Sequence, residues 1–455
     1  GTIEIKTVKP SVPLVMNKNE LKAMPKTPVQ KTHGTVDNDD NSVSKERLKK
    51  LRSSNTTLCK ISSTSIKIQT IQFSDSKPHY PLLDGLRGVA AFLVVWYHIF
   101  EGFQFAGGKP TIDFITHGYL AVDFFFILSG FVIGYAYDDR WGKTLTLGGF
   151  FRRRLIRLHP MVVMGATIGL ISFLLTGMER WDRTTSTLSM TFLAFICSCL
   201  MIPALPGMPR EVRGNGEMFP LNGPCWSLFF EYLGNIIYAF IIRKLPTKIL
   251  AFLSFLLCCT LAWFAITNQS GYGSIGVGWT IDSVNVIGGS LRMLCPFTMG
   301  ILLSRVFKPA SNARAAFWIC AIVLLVLFHV PFIAGDTNFC WNGVFEAVCI
   351  IGIFPLIVWF AASGKTTDAV STKVCRFLGD VSFPLYIVHY PLMYAFYMWL
   401  IKTKQYTFAE TWHVAVFVVI ASIILAWLCL RFYDMPIRKW LTSKTKSCKS
   451  KNKTE

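Results

Sequence analysis

The sequence predicts an all-α protein, a polytopic transmembrane helical bundle with about ten full spans and one re-entrant or interfacial segment. Three observations predict this class. Of the 455 residues, 52% are hydrophobic and only 16% are charged, whereas soluble domains carry about 25% charged residues. The mean hydropathy is +0.44. Apolar segments of about 20 residues, the length that crosses ~30 Å of hydrocarbon, recur between residues 83 and 432.

Composition divides the chain into three regions. Residues 1–78 are polar, mixed in charge and without apolar periodicity, which predicts a disordered cytosolic tail. Residues 79–441 hold the apolar segments and form the predicted transmembrane domain. Residues 442–455 are basic and form a predicted cytosolic C-terminal tail. With no large soluble segment after Arg431, we expect the membrane domain to carry any activity alone.

Positive charge gathers beside the apolar segments. Much of the net charge of +20 lies in the N-terminal tail, at residues 152–157 and after Arg431. Lysine and arginine next to a span set its topology and attract anionic lipid. We therefore expect the lipid bilayer, and no nucleic acid, as the partner of these basic clusters.

The eleven apolar segments lie at residues 83–104, 118–137, 158–176, 188–203, 225–242, 249–267, 284–305, 314–334, 343–362, 379–401 and 411–432. Basic residues mark alternate loops as cytosolic, and two cytosolic termini require an even number of spans. The shortest segment, 188–203, is therefore predicted to enter the membrane without crossing it. We expect an integral multi-pass protein of the plasma or inner membrane, with both termini in the cytosol.

The first segment, LDGLRGVAAFLVVWYHI at residues 83–99, carries the leading catalytic candidate. Arg87 and His98 are 11 positions apart, so they share one face of a helix and lie roughly 16 Å apart along its axis. Ionisable residues inside a span indicate a functional site. His98 is a candidate general base, since a neutral imidazole accepts a proton near neutral pH. A structural histidine bonded to a helix neighbour is the other interpretation.

Two acidic residues are further catalytic candidates. Asp123, near the outer end of the second segment, is either a helix-terminal charge or a group that orients His98 or binds a polar substrate. Glu231, in PCWSLFFEYLGNIIY, is predicted to reach the depth of His98 and to lie beside it as an acid–base or orienting partner. Trp226 and Ser227 of the same motif are candidate substrate contacts, although Trp226 alone is typical of an interface anchor.

Arginines gather in FFRRRLIRLHP, residues 150–160. Arg153, Arg154 and Arg157 are candidates for binding phosphate, because guanidinium groups match phosphate oxygens. Ordinary anchoring at the cytosolic edge explains the pattern equally well. Pro160 predicts the first turn of the following helix.

The motif FLGDVSFPLYIVHYPL, residues 377–392, places Ser382 and His389 two turns apart on one face. Its two prolines free backbone groups that must find other partners, as happens around cavities. Ser382 and His389 are candidate substrate contacts, with a structural or proton-relay role for His389 left open. Arg292 is a further buried cation that we expect to pair with an acid or to line the same cavity.

Cysteines indicate neither a disulfide framework nor a metal site. Most of the 13 cysteines lie within apolar runs, where they pack as small hydrophobic residues. Cys225 and Cys340 fall in predicted outer loops, and sequence leaves their pairing open. No metal-binding spacing is present, so no metal is expected.

Taken in order, these motifs resemble the acyltransferase-3 family of integral membrane acyltransferases over about residues 80–441. The resemblance is carried by LDGLRGVAA with WYH, VDFFFILSGFVIGY, FFRRRLIRLHP, WSLFFE and GDVSFPLYIVHYP. It implies transfer of an acyl group, often acetyl, from cytosolic acyl-CoA to a carbohydrate or glycolipid acceptor at the outer face. It also implies that His98 is the catalytic histidine, that Arg87, Arg154 and Arg157 are functional arginines, and that Glu231 is the acid of the tryptophan–serine motif. The long polar N-terminal tail departs from the family pattern.

The expected reaction joins the two faces of the membrane. Arg87 and the arginines at 152–157 would hold the phosphates of acyl-CoA at the cytosolic end, and the resemblance implies acetyl-CoA as the donor. His98 would act farther out, either as a base in direct transfer or as an acyl-histidine. A polysaccharide or glycolipid transporter, or flippase, without acyl transfer is the main alternative, and a sensor or scaffold with purely structural histidines is another.

Overall fold

The computed structural model describes residues 77–451 except 110–111, 311–314, 334, 336–337 and 367, and of 445–451 it describes the backbone alone. The predicted tail, 1–78, lies outside the described residues apart from its last two. The helices in the described part are α1 (Pro81–Gly107), α2 (Ala121–Tyr137), α3 (Leu147–Leu175), α4 (Leu188–Cys199), α5 (Cys225–Phe240), α6 (Thr247–Ile266), α7 (Ser283–Val306), α8 (Ala316–Phe328), α9 (Trp341–Ala347), α10 (Phe354–Ser363), α11 (Ala369–Thr403), α12 (Phe408–Cys429) and α13 (Met435–Lys451).

The all-α polytopic class is confirmed. Within the described residues, eight helical stretches are long and apolar enough to cross a membrane. Joined helices are counted there as single stretches: α9 runs through the π-helical turn Val348–Ile353 into α10, and a second π-helical turn joins α12 to α13. α11 is a single unbroken helix of 35 residues, and it is not among these eight stretches. The figure of ten full spans stays a prediction.

Two apolar helices are short. α4 has 12 residues and α8 has 13, so they extend for only about 18 and 20 Å at 1.5 Å per residue. α4 coincides with the segment predicted not to cross the membrane. α8 occupies a segment, 314–334, for which the sequence predicts a full span.

Large apolar side chains cover much of the outer surface of the bundle. A water-soluble protein rarely exposes apolar surface on this scale, whereas a bilayer favours it. The exposed side chains include Leu175, Phe252, Phe255, Leu356, Phe417 and Phe432.

Helix α1 packs most extensively against α11. Glycines on α1 permit this close approach: a Cβ on Gly88 would lie 2.4 Å from the Leu378 carbonyl oxygen, and one on Gly102 would lie 2.3 Å from Cε1 of Tyr397. Such distances are far below van der Waals contact, so larger residues would force the helices apart. This packing brings His98 of α1 next to His389 of α11.

Helix α3 begins earlier than the sequence predicts. The Thr146 side chain caps it by accepting a hydrogen bond from the Gly149 amide at 3.1 Å. Pro160 therefore lies inside the helix, and the prediction that it begins a helix is wrong. Residues 152–157 lie instead on the first turns of a 29-residue helix.

The segment that precedes α5 is inserted into the bundle. Pro391, inside α11, has no N–H to bond the Ile387 carbonyl one turn earlier. The Asn222 side chain donates to that carbonyl at 2.9 Å, as the expectation of re-satisfied backbone groups requires. Asn222 is fully buried, so α5 begins well inside the protein.

Two smaller expectations concern the chain ends and the cysteines. The predicted C-terminal tail, 442–455, is helical as far as Lys451, because α13 continues through it. Cys225 and Cys340, whose pairing the sequence leaves open, are both buried free thiols.

Candidate active site

His98 forms a close pair with an acid on its own helix. Its Nδ1 lies 2.5 Å from Oε2 of Glu101, one turn later on α1. A carboxylate accepts the proton of Nδ1, and this fixes the tautomer in which Nε2 carries a lone pair. The side chain of His98 stays 14% exposed and that of Glu101 30%, so protein does not seal the pair off. His98 thus has the arrangement of a base oriented by a carboxylate.

Tyr397 of α11 holds this pair from the neighbouring helix. Its hydroxyl lies 2.6 Å from the His98 carbonyl oxygen and 3.2 Å from Oε2 of Glu101. Gly102 makes room for the tyrosine ring, as its missing side chain allows the contact. Neither Glu101 nor Tyr397 is among the residues that the sequence predicts. The available signal for Glu101 was its spacing of three from His98, which places both on one helix face.

His389 stacks on His98. Their ring centroids are 5.3 Å apart with planes inclined by 26°. Nδ1 of His389 lies 3.0 Å from the Leu385 carbonyl, and because a carbonyl only accepts, the proton belongs on Nδ1. Nε2 then carries a lone pair, and it is buried without a hydrogen-bond partner among the described residues. Two imidazoles with available basic nitrogens therefore meet in the middle of the bundle.

Ser227 reaches the same region through Tyr386. Its hydroxyl lies 2.7 Å from that of Tyr386, and the Tyr386 ring is 6.0 Å from the ring of His389. The predicted substrate contacts Ser227 and His389 are thus brought together. Trp226 faces another way, since its ring lies beneath the guanidinium of Arg292 at 5.2 Å.

A buried polar group from the loop before α5 borders the histidines. Tyr394 of α11 donates to Glu217, and Asn215 donates to the same carboxyl group at 2.7 Å. The Arg213 guanidinium lies 3.9 Å from the centre of the Tyr394 ring. Burial raises the pKa of Glu217 to about 7. This loop residue is therefore poised to titrate near neutral pH, next to the tyrosines that surround His98.

Asp123 and Arg292 form a buried ion pair. Nη2 of Arg292 lies 2.7 Å from Oδ2 of Asp123, and both side chains are almost wholly covered. The guanidinium also donates to the carbonyls of Val277 and Tyr119 at 2.8 and 2.9 Å. The expectation that Arg292 pairs with an acid is met. Asp123 bonds Arg292 rather than His98 in the described structure, so it does not orient the histidine.

Glu231 does not lie beside His98 as predicted. It accepts hydrogen bonds from Arg154 at 2.5 Å and from Ser129 at 2.9 Å. The physical reason is the insertion of Asn222, which starts α5 at the depth of the histidines. Glu231 is six residues after Cys225, the first residue of α5, and therefore lies ~9 Å closer to the arginine-rich end. Glu231 is thus a partner of the predicted phosphate-binding residues.

The remaining predicted residues lie toward the same end. Arg87 pairs with Asp84 at 2.9 Å, and Arg157 and Asp84 interact electrostatically. The Ser382 hydroxyl donates to the carbonyl of Gly379 within α11, and Gly379 packs against Asp84. Ser382 therefore lies toward Asp84 and Arg87, whereas the sequence groups it with His389 as a substrate contact. Arg153, on the same turn of α3 as Arg154, is half-buried and has interaction partners of its own.

The fold and these positions define a polytopic helical membrane protein with a histidine-centred polar site inside its bundle. A family model described as an acyltransferase domain matches residues 80–431. The match covers more than half of the chain, so the protein belongs to this family. The family match ends between α12 and α13.

Three curated proteins are similar in sequence to this chain. The chain is 26% identical over 381 residues to the peptidoglycan O-acetyltransferase OatA of Listeria monocytogenes, covering 80% of this chain and 56% of that protein. It is 25% identical over 380 residues to the putative peptidoglycan O-acetyltransferase YrhL of Bacillus subtilis, covering 79% and 55%. Over 175 residues it is 36% identical to protein 2 in the picA locus of Rhizobium radiobacter, covering 36% and 84%.

The chain thus spans little more than half the length of the two peptidoglycan relatives. No solved structure matches it.

Proposed function

We propose that this protein transfers an acyl group, with acetyl as the favoured one, from acyl-CoA to a hydroxyl group of a carbohydrate or glycolipid acceptor. The observation that carries this proposal is the 2.5 Å contact between His98 and Glu101, which gives a basic imidazole nitrogen inside a membrane bundle. Two relatives, one described as a peptidoglycan O-acetyltransferase and one as a putative peptidoglycan O-acetyltransferase, support the choice of acetyl and of a carbohydrate.

The donor binds at the arginine-rich end of the bundle, which we assign to the cytosol. Arg87, Arg153, Arg154 and Arg157 are assigned to the phosphates of acyl-CoA. Guanidinium groups suit this task because they donate in a fork that matches phosphate oxygens. Asp84 and Glu231 hold Arg87 and Arg154 in position through ion pairs. Both termini are then cytosolic, in a plasma or inner membrane.

The acceptor approaches His98 from the other face. Ser227 and His389 are assigned to contacts with its hydroxyl groups, since both lie around Tyr386 next to His98. Trp226, Arg292 and Asp123 form one connected group, which we assign to shaping the wall of the site. Ser382 lies toward the donor side and is assigned to the path of the acyl arm.

The chemistry proceeds by proton transfer and acyl transfer. Nε2 of His98 takes the proton of the acceptor hydroxyl while Glu101 stabilises the imidazolium that forms. The hydroxyl oxygen attacks the thioester carbonyl, the carbon–sulfur bond breaks, and the thiolate leaves with the proton from His98. An acyl-histidine formed on His98 is the alternative route to the same products.

The direct test uses sealed membrane vesicles that contain the full chain and radiolabelled acetyl-CoA. Peptidoglycan fragments and a panel of glycolipids serve as acceptors. We expect label on an acceptor, with release of one coenzyme A per acetyl group. Movement of acceptor across the membrane without consumption of acetyl-CoA would identify a transporter and contradict the proposal.

A further inference from the structure

Four arginines from three helices form a group at one end of the bundle, and we call it the arginine cluster. Its members are Arg87 of α1, Arg154 and Arg157 of α3, and Arg438 of α13. Arg157 interacts electrostatically with the other three, and α13 packs against α3. The cluster thus includes a residue from a helix outside the family match, which ends at residue 431.

Acidic residues hold three of the four guanidinium groups. Arg87 pairs with Asp84 at 2.9 Å, Arg154 with Glu231 at 2.5 Å and Arg438 with Asp434 at 3.0 Å. Asp380 also interacts electrostatically with Arg157 and Arg438. These acids explain how like charges remain close together, and they fix the directions of the three paired side chains.

Hydrogen-bond donors nevertheless remain unused. In the described part of the chain no hydrogen bond or ion pair involves the guanidinium of Arg157, which is half-buried. Nε of Arg154 and Nε of Arg438 are buried and also without a partner. Buried donors without acceptors are costly. A ligand with several anionic oxygens, such as a phosphate, carries the acceptors that these donors lack.

Arg438 does not behave as a simple surface anchor. Its side chain is only 15% exposed, and its partner Asp434 is 1% exposed. An arginine that merely anchors a helix extends to water or lipid headgroups, as the exposed neighbour Lys439 is free to do. Burial and a fixed partner instead hold Arg438 against the cluster.

We propose that Arg438 joins Arg157 in binding a phosphate group of the acyl donor, so that helix α13 completes the donor site. This inference rests on the proposed use of a phosphorylated acyl donor. A phosphate could also belong to an anionic lipid headgroup, and the experiment separates these two sources.

The test measures binding of coenzyme A, 3′-dephospho-coenzyme A and pantetheine to the full chain in nanodiscs of phosphatidylcholine, and separately the binding of phosphatidylglycerol added to such nanodiscs. Removing Arg438 alone would leave Asp434 buried without its partner and could unfold the region. The main variant is therefore Arg438→Gln with Asp434→Asn, which keeps a polar pair without charge. Lys439→Gln is the matched control, since it removes an exposed positive charge from the same helix.

We expect the pair variant to bind coenzyme A about tenfold more weakly or worse, as loss of a charge-assisted hydrogen bond implies. Pantetheine, which lacks the nucleotide phosphates, should bind equally to the pair variant and the wild type. Lys439→Gln should stay within about twofold of the wild type, because its charge is screened by solvent. A loss smaller for 3′-dephospho-coenzyme A than for coenzyme A would assign Arg438 to the ribose phosphate.

Wild-type affinity of the pair variant for coenzyme A would overturn the inference. A loss of phosphatidylglycerol binding alone would do so too, because the phosphate would then be a lipid's. An equal loss for pantetheine would also overturn it, since the defect would not concern phosphate. If the wild-type protein itself fails to bind coenzyme A, the proposed donor is wrong as well. Wild-type binding with an unaffected variant overturns only the role of Arg438.

Discussion

Glu101 lies one helical turn after His98, and its carboxylate approaches Nδ1 of the imidazole to 2.5 Å. Both residues belong to α1, so a single helix supplies the base and the group that orients it. Tyr397 of α11 lies against both. The close contact of α1 with α11 is therefore enough to bring these three residues together.

Glu101→Gln tests the orienting carboxylate. The amide keeps the size of the side chain but cannot stabilise an imidazolium, and it permits the wrong tautomer. We expect kcat to fall by roughly 10²–10⁴-fold, as for other carboxylate–histidine pairs, with little change in the KM for acetyl-CoA. Steady-state kinetics in vesicles measure both constants. An unchanged kcat would show that His98 does not depend on Glu101.

Glu231→Gln separates two roles for Glu231. If Glu231 positions Arg154, as their 2.5 Å ion pair indicates, the KM for acetyl-CoA should rise more than kcat falls. If it were an acid–base partner of His98, kcat would fall at an unchanged donor KM. The kinetic split decides between them, and Arg154→Met should show the same pattern as Glu231→Gln.

Asp123→Asn tests a structural ion pair. The change leaves Arg292 buried without a counter-charge, and removal of one partner from such a pair typically lowers the free energy of unfolding by about 3–5 kcal/mol. We expect a lower melting temperature and less folded protein in detergent. Glu101→Gln is the control, because a more exposed side chain should leave the melting temperature near that of the wild type. Equal melting temperatures for Asp123→Asn and the wild type would contradict this role.

Glu217 predicts a pH dependence of stability. Burial raises its pKa from 4.5 to about 7, so the folded state favours the protonated form. Stability, and with it the melting temperature, should therefore fall as pH rises from about 5 to 8. Thermal melting across this range measures the slope, and Glu217→Gln should flatten it. A slope that persists in the variant would assign the titration to another group.

Much of the architecture is predictable from apolar periodicity, because a bilayer demands long helices with few charges. The shared face of Arg87 and His98 is likewise predictable, since both lie on one helix with known geometry. Glu231 is misplaced because depth along α5 depends on where that helix begins. Asn222 sets this starting point because it donates a hydrogen bond to the carbonyl that Pro391 leaves free. This tertiary contact is not predicted by any local sequence pattern.

The contact of His98 with His389 is unpredictable for a similar reason. Each histidine is visible as a buried polar residue, but only the glycine-mediated approach of α11 to α1 places their rings together. Glu101 is overlooked because a glutamate near the end of a span resembles an ordinary interfacial charge.

The central claim is that His98 performs the acyl transfer. The most direct measurement compares the wild type with His98→Ala and His98→Gln in vesicles with radiolabelled acetyl-CoA and a working acceptor. We predict that transfer falls to background in both variants, while coenzyme A binding and melting temperature stay near wild-type values. Transfer at the wild-type rate by either variant would contradict the claim.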